Sequence, residues 1–80
     1  MFQEFNKIEL IDYLISTKRT GTRQQLSQRL EVSTRTVSRY IEMMNLNGAQ
    51  IKFNRSKNTF EYAKPGRFVI SFGFKEGINL

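Results

Sequence analysis

The sequence predicts an α+β fold: three short helices in a bundle, then a β-hairpin and material for one further strand. Three observations carry this. Apolar residues recur at helical spacing in three separate runs before Gly48. Thr22 and Ser33 stand where helix caps belong, each just ahead of such a run. Beyond Gly48 the apolar spacing changes from helical to alternating.

The first helix is expected over residues 2–16. Ile8, Ile11 and Ile15 make its apolar stripe, which Phe5 and Leu14 widen, and Glu4, Glu9 and Asp12 are assigned to its wet face. TKRTG at 17–21 breaks the pattern, with Gly21 suited to a left-handed residue after the helix. Thr22 to Gln25 fits a capping box, a hydroxyl reaching forward and a carboxamide reaching back, so the second helix should run from about Arg23 to Leu30.

The stretch from Gln25 to Asn45, QLSQRLEVSTRTVSRYIEMMN, says most about function. Leu26, Leu30 and Val32 are the apolar positions of the second helix and a tight turn, and Ser33 is the expected cap of the third helix. At 100° per residue Val37, Tyr40, Ile41 and Met44 fall within an arc of about 100°. Arg35, Arg39 and Glu42 then lie nearly opposite, with Ser38 also turned outward. An ordinary solvated helix shows the same periodicity. This outer face, however, is short, basic and rich in donors, as a helix lying in a DNA major groove must be. The helix should fade over 45–48, with Leu46 still on the core and Gly48 closing the segment.

Ile51-Lys-Phe53 and Thr59-Phe-Glu-Tyr62 are two alternating runs around Asn54–Asn58, which is rich in turn formers and carries two cations. They predict the hairpin. After Lys64-Pro65-Gly66, the residues Phe68, Ile70, Phe72 and Phe74 alternate with Val69, Ser71, Gly73 and Lys75, the pattern of one more strand. The organisation expected is one domain over 1–64 and an extension over 65–80. The apolar row of that extension either completes this domain's own core or pairs with a second copy as a homodimer.

Charge narrows the partner. The net charge is +6 in 80 residues, but it is unevenly spread. Lys7 against Glu4, Glu9 and Asp12 leaves residues 1–16 at −2. Lys18, Arg19, Arg23, Arg29, Arg35 and Arg39 against Glu31 put residues 18–41 at +5, and Lys52, Arg55, Lys57, Lys64 and Arg67 against Glu61 put residues 52–67 at +4. The positive charge follows the two-helix unit and the hairpin and avoids the first helix, which favours nucleic acid. No basic amphipathic helix offers a membrane an apolar face, and no run reaches the ~18 apolar residues of a membrane span. The polar, acidic start MFQEFNKIEL is unlike a signal peptide, and a chain without cysteine suits a reducing cytoplasm, at the nucleoid.

Catalysis is not expected. With no histidine and no cysteine the usual general base, thiol nucleophile and zinc ligands are missing, and no glycine-rich loop follows a strand. No cofactor or metal is expected. So short a chain buries only about 60–65% of its unfolded surface, which leaves little room for a small-molecule pocket. Control is therefore expected to lie in abundance or in a partner.

The order helix, helix, turn, helix, hairpin resembles a winged helix-turn-helix. The run from Leu26 to Arg39, LSQRLEVSTRTVSR, resembles that unit in the DeoR-type repressors and the biotin-operon repressor, above all in the valine-serine-x-arginine-threonine-valine core from Val32 to Val37. Ile51 after Asn47-Gly48 matches the start of their wing, and the likeness covers about residues 6–63. It departs at Ser27, where alanine is usual, at Tyr40, where an acidic residue is common, and at the wing's end, which has Phe60 and Tyr62 in place of glycine-tyrosine. The resemblance implies DNA binding, with Ser33, Arg35 and Thr36 at the DNA surface.

The candidate site follows. Arg35 and Arg39 are the expected base contacts, since a guanidinium pairs bidentately with guanine. Thr34, Thr36 and Ser38 are candidates for phosphates or base edges, and Ser33 for the same surface unless it only caps. Arg55 and Lys57 at the hairpin tip would meet the backbone or minor groove, although hairpin turns favour polar residues in any case. Arg23, with Lys18 and Arg19, would clamp phosphates. The function expected is sequence-specific duplex-DNA binding by a small bacterial or phage transcription regulator, a repressor by its resemblance, with helix 33–45 in the major groove and wing 51–62 beside it. The alternatives are an architectural role in recombination or replication initiation, and a winged helix used for protein docking.

Overall fold

A computed structural model describes residues 2–70 of the protein. Three helices, α1 (Phe2–Ser16), α2 (Arg23–Leu30) and α3 (Thr34–Leu46), precede an antiparallel hairpin of β1 (Ile51–Asn54) and β2 (Thr59–Tyr62). This is the α+β, winged helix-turn-helix layout expected from the sequence. The strands pair in the register Ile51 with Tyr62, Lys52 with Glu61, Phe53 with Phe60 and Asn54 with Thr59.

One core holds the three helices and β2, and Ile51 of β1 is half-buried against it. Ile8, Ile11, Leu14 and Ile15 of α1 meet Leu26 and Leu30 of α2, Val37, Ile41 and Met44 of α3, and Phe60 of β2. Val32, Tyr40 and Met43 are half-buried against it. Ser27 is buried too, its hydroxyl turned back onto the Gln24 carbonyl at 2.7 Å. A small side chain with its polar atom satisfied internally lets neighbouring helices approach closely.

The helix ends explain the tight connections. The capping box is complete: Gln25 N–H donates to Thr22 Oγ1 at 3.1 Å and Thr22 N–H to Gln25 Oε1 at 2.8 Å. Gly21 has φ +70°, and a Cβ there would strike that Gln25 carboxamide. Yet the residue that ends α1 is Lys18, not Gly21. Lys18 takes φ +59°, with its N–H on the Ile15 carbonyl and the Arg19 N–H on the Leu14 carbonyl, a Schellman closure. Glu31 repeats the device after α2, also at φ +59°. Lys7 adds an ammonium on the Leu30 carbonyl at 2.9 Å, a cation at the negative end of α2.

Three further expectations are corrected. Asp12, assigned to the wet face of α1, is 3% exposed. It sits four residues after Ile8 and three before Ile15, so helix geometry puts it on the buried stripe, while Leu10 and Tyr13 are left exposed. Leu46 does not reach the core and is 81% exposed, because two residues past the buried Met44 is about 200° around the helix. Residues 63–70 form no strand. The alternation there is still used: Phe68 and Ile70 are half-buried against the core and Val69 is exposed. Phe72 and Phe74, with the rest of the expected strand, lie outside the described residues.

The wing is fastened to the body by side chains. Thr20, in the loop between α1 and α2, and Thr59, at the start of β2, are both almost fully buried, with their hydroxyls 3.0 Å apart. Thr20 N–H donates to Thr59 Oγ1 at 3.2 Å and Phe60 N–H to Thr20 Oγ1 at 2.8 Å. Two hydroxyls thus satisfy backbone donors that a third strand would otherwise take. Thr59→Val keeps the shape but strips Thr20 N–H of its acceptor. We expect it to cost about 1–3 kcal/mol, read by urea denaturation; a variant as stable as the parent would show the pair to be dispensable.

Asp12 makes the second fastening. Its Oδ1 accepts from Tyr62 Oη at 2.6 Å and from Phe68 N–H at 2.7 Å, and its Oδ2 from Arg67 Nε at 2.6 Å. One carboxylate therefore joins α1, the end of β2 and the segment after it. Burial, then the hydrogen bond to Asp12 and its negative charge, hold the Tyr62 phenol above the ordinary tyrosine range, with Arg67 opposing them. Below about pH 10 folded and unfolded chains both keep this proton; above it the unfolded chain loses the proton while the folded one retains it. Stability should therefore fall as pH rises past about 10, by up to about 1.4 kcal/mol per pH unit from this group. Tyr62→Phe should lack that component, and identical alkaline slopes in urea titrations of the two proteins would refute it.

Candidate nucleic-acid interface

The helix-turn-helix unit presents α3 through its caps. Ser33 adopts an extended conformation and its Oγ accepts the Thr36 N–H at 3.1 Å, while the same hydroxyl lies 3.1 Å from Thr36 Oγ1 as donor. Capping is thus an observed task of Ser33, and its exposure leaves room for another. From this start Val37, Ile41 and Met44 turn inward. Thr34, Arg35 and Arg39 are exposed, and Thr36 and Ser38 half-buried. Neither Arg35 nor Arg39 has an ion-pair partner among the described residues. Glu42 is exposed on the same helix without neutralising either one.

The wing tip is built by Asn54, whose Oδ1 accepts the Lys57 N–H at 3.1 Å, and by Asn58 in the left-handed region at φ +56°. This turn holds Arg55 and Lys57 exposed at the end of the hairpin. The base of the wing is tied to α3, since Ile51 N–H donates to Asn45 Oδ1 at 2.7 Å. Helix and wing are therefore joined by a short, directed contact.

The three cations expected beside α2 divide. Lys18 lies 3.9 Å from Glu61 in an ion pair, exposed on the lysine side. Arg23 carries its guanidinium over the Phe60 ring, 5.8 Å from the centroid. Arg19 is exposed with no ion pair among the described residues. Sequence reasoning missed the contact between Arg23 and Phe60, because 37 positions of chain separate the two and no local spacing signals it.

The arrangement is a capped helix with a cationic outer face, a cation-tipped hairpin fastened to its far end, and further basic residues around the start of α2. A family model for the helix-turn-helix (HTH) domain matches residues 6–58. The chain belongs to this family. HTH domains are DNA-binding domains, and the matched span takes in most of α1, all of α2, α3 and β1 and the whole wing turn. Comparison with curated proteins and with solved structures gives no match. No helix of this HTH protein is, among the described residues, long and apolar enough to cross a membrane.

Proposed function

We propose that this HTH domain binds specific sequences in duplex DNA and serves as a small transcription regulator, with α3 in the major groove and the wing on the backbone or minor groove. The observation that carries the reading is the two-sidedness of α3. Val37, Ile41 and Met44 are buried while Arg35 and Arg39, one turn apart, are exposed and unpaired among the described residues. Two guanidinium groups on one face suit guanine edges, and Thr34, Thr36 and Ser38 suit nearby phosphates or bases. Arg23, Arg55 and Lys57 supply contacts to the backbone, and Ser33 fixes where the helix starts. A docking module has no need of this cationic face. The domain proper is residues 1–64, with 65–80 as an extension whose Arg67 and Phe68 are bonded back to Asp12.

Fluorescence anisotropy with a labelled duplex tests the reading. The protein should bind with an affinity that falls steeply with salt, and the Arg35→Ala/Arg39→Ala variant should lose most sequence discrimination while remaining folded. A variant that discriminates as well as the parent would remove α3 from the interface. A homodimer is proposed alongside. Phe68 and Ile70 keep part of their surface open after packing on their own core, and a second copy covering it together with Phe72 and Phe74 would supply a second reading head. Sedimentation equilibrium decides this: twice the chain mass at micromolar concentration supports the dimer, a monomer rejects it.

A further inference from the structure

Arg23 is the first residue of α2, and its guanidinium stands over the ring of Phe60 in the wing. That ring is itself held. Phe60 is 5% exposed, its N–H is bonded to Thr20 Oγ1, and Phe53 meets its ring at 72° with the centroids 5.0 Å apart. A cation over an aromatic face is attracted by the ring quadrupole, and a weakly hydrated guanidinium gives up little solvation to sit there. The contact uses none of its N–H donors. Among the described residues the Arg23 side chain makes no hydrogen bond and no ion pair, unlike Lys18, which faces Glu61. It is exposed and charged, oriented by the ring, with its donors unused.

We propose that Phe60 is a positioning residue that holds the Arg23 guanidinium ready for a bidentate contact with one phosphate of duplex DNA, where the start of α2 meets the wing. The planar fork of arginine matches two oxygens of a phosphodiester, and the ring restricts the directions in which the fork can point. Less freedom is then lost when the phosphate arrives. The inference rests on the DNA-binding reading above and gives the buried wing aromatic a part in it. It also makes α2 and the wing one contact unit, because the Thr20–Thr59 pair that fastens β2 sets the height of the ring under Arg23.

The test is a salt titration of duplex binding by the full chain, with Arg23→Ala, Arg23→Lys, Phe60→Leu and the Arg23→Ala/Phe60→Leu double variant. Arg23→Ala should weaken binding about tenfold or more and lower the salt slope by about one. Phe60→Leu should weaken it about two- to fivefold in the parent and not at all in the Arg23→Ala background. Arg23→Lys, which leaves the core untouched, should keep the slope and lose affinity by a similar two- to fivefold. Equal losses from Phe60→Leu in both backgrounds would overturn the proposal, since the ring would then act only through the fold. Should Phe60→Leu fail to fold, Arg23→Lys decides, and parental affinity there overturns it. If the parent binds DNA and Arg23→Ala binds equally well, this inference fails alone; if the parent binds no duplex, the functional reading fails with it.

Discussion

Arg39→Ala is expected to lower discrimination between a preferred duplex and its single-base variants by about ten- to a hundredfold, and Arg35→Ala by a similar factor at a neighbouring position. A bidentate arginine–guanine pair supplies about 1–3 kcal/mol of discrimination against a wrong base. Both side chains leave the outer face of α3, opposite Val37 and Ile41, so their removal costs the core nothing. Lys57→Ala at the wing tip should behave differently. A single charge on the backbone carries no sequence information, so every duplex should weaken alike and the salt slope should flatten by about one. Competition binding with a panel of single-base variants at two salt concentrations separates the effects. If Arg39→Ala and Lys57→Ala gave the same pattern, α3 and the wing would not divide the work in this way.

The largest loss of stability is expected from Asp12→Ala. The carboxylate accepts three hydrogen bonds at 2.6–2.7 Å, and its removal leaves the Tyr62 hydroxyl and the Phe68 N–H without acceptors in half-buried surroundings. Each stranded donor costs about 1–3 kcal/mol, so a total of about 2–5 kcal/mol is expected. In a chain of this size that lowers Tm by about 10–30 °C. Asp12→Asn keeps a carbonyl for one or two of the donors and loses the charge opposite Arg67, so it should fall between. A melt of Asp12→Ala within a few degrees of the parent would show that the three bonds only replace bonds to water at no net gain.

Asp12 also shows where the sequence can be read and where it misleads. Its charge suggested the wet face, whereas its position, four residues after Ile8 and three before Ile15, demanded the buried stripe. Position prevailed because three donors from distant chain waited there, and none of them is visible from α1. The elements that local rules govern were legible: the capping box at Thr22–Gln25, the Ser33 cap, the inward set of α3 and the hairpin around Asn54–Asn58. Glycine marked the end of α3, where Gly48 has φ +97°, but not those of α1 and α2, where Lys18 and Glu31 adopt the left-handed conformation. An isolated strained residue costs about 1–2 kcal/mol, which two closing hydrogen bonds offset. The alternation at 68–70 was real, but the segment forms no strand and instead packs Phe68 and Ile70 against the core.

For the interface, sequence periodicity placed Arg35 and Arg39 on one outer face, and the structure keeps both exposed. Composition treated Lys18, Arg19 and Arg23 as equivalent cations. Tertiary contacts distinguish them, setting Lys18 against Glu61 and Arg23 over Phe60. Such differences depend on β2 arriving beside the α1–α2 connection and the first residue of α2, a consequence of the whole fold.

The central claim is that this protein reads DNA sequence through α3. Selection of bound fragments from random duplex DNA at physiological salt, followed by sequencing, tests it most directly. The account predicts an enriched motif containing guanines, arranged as half-sites about one helical turn apart if two copies bind together. Binding without any enrichment, or with an enrichment that survives Arg35→Ala/Arg39→Ala unchanged, would contradict it.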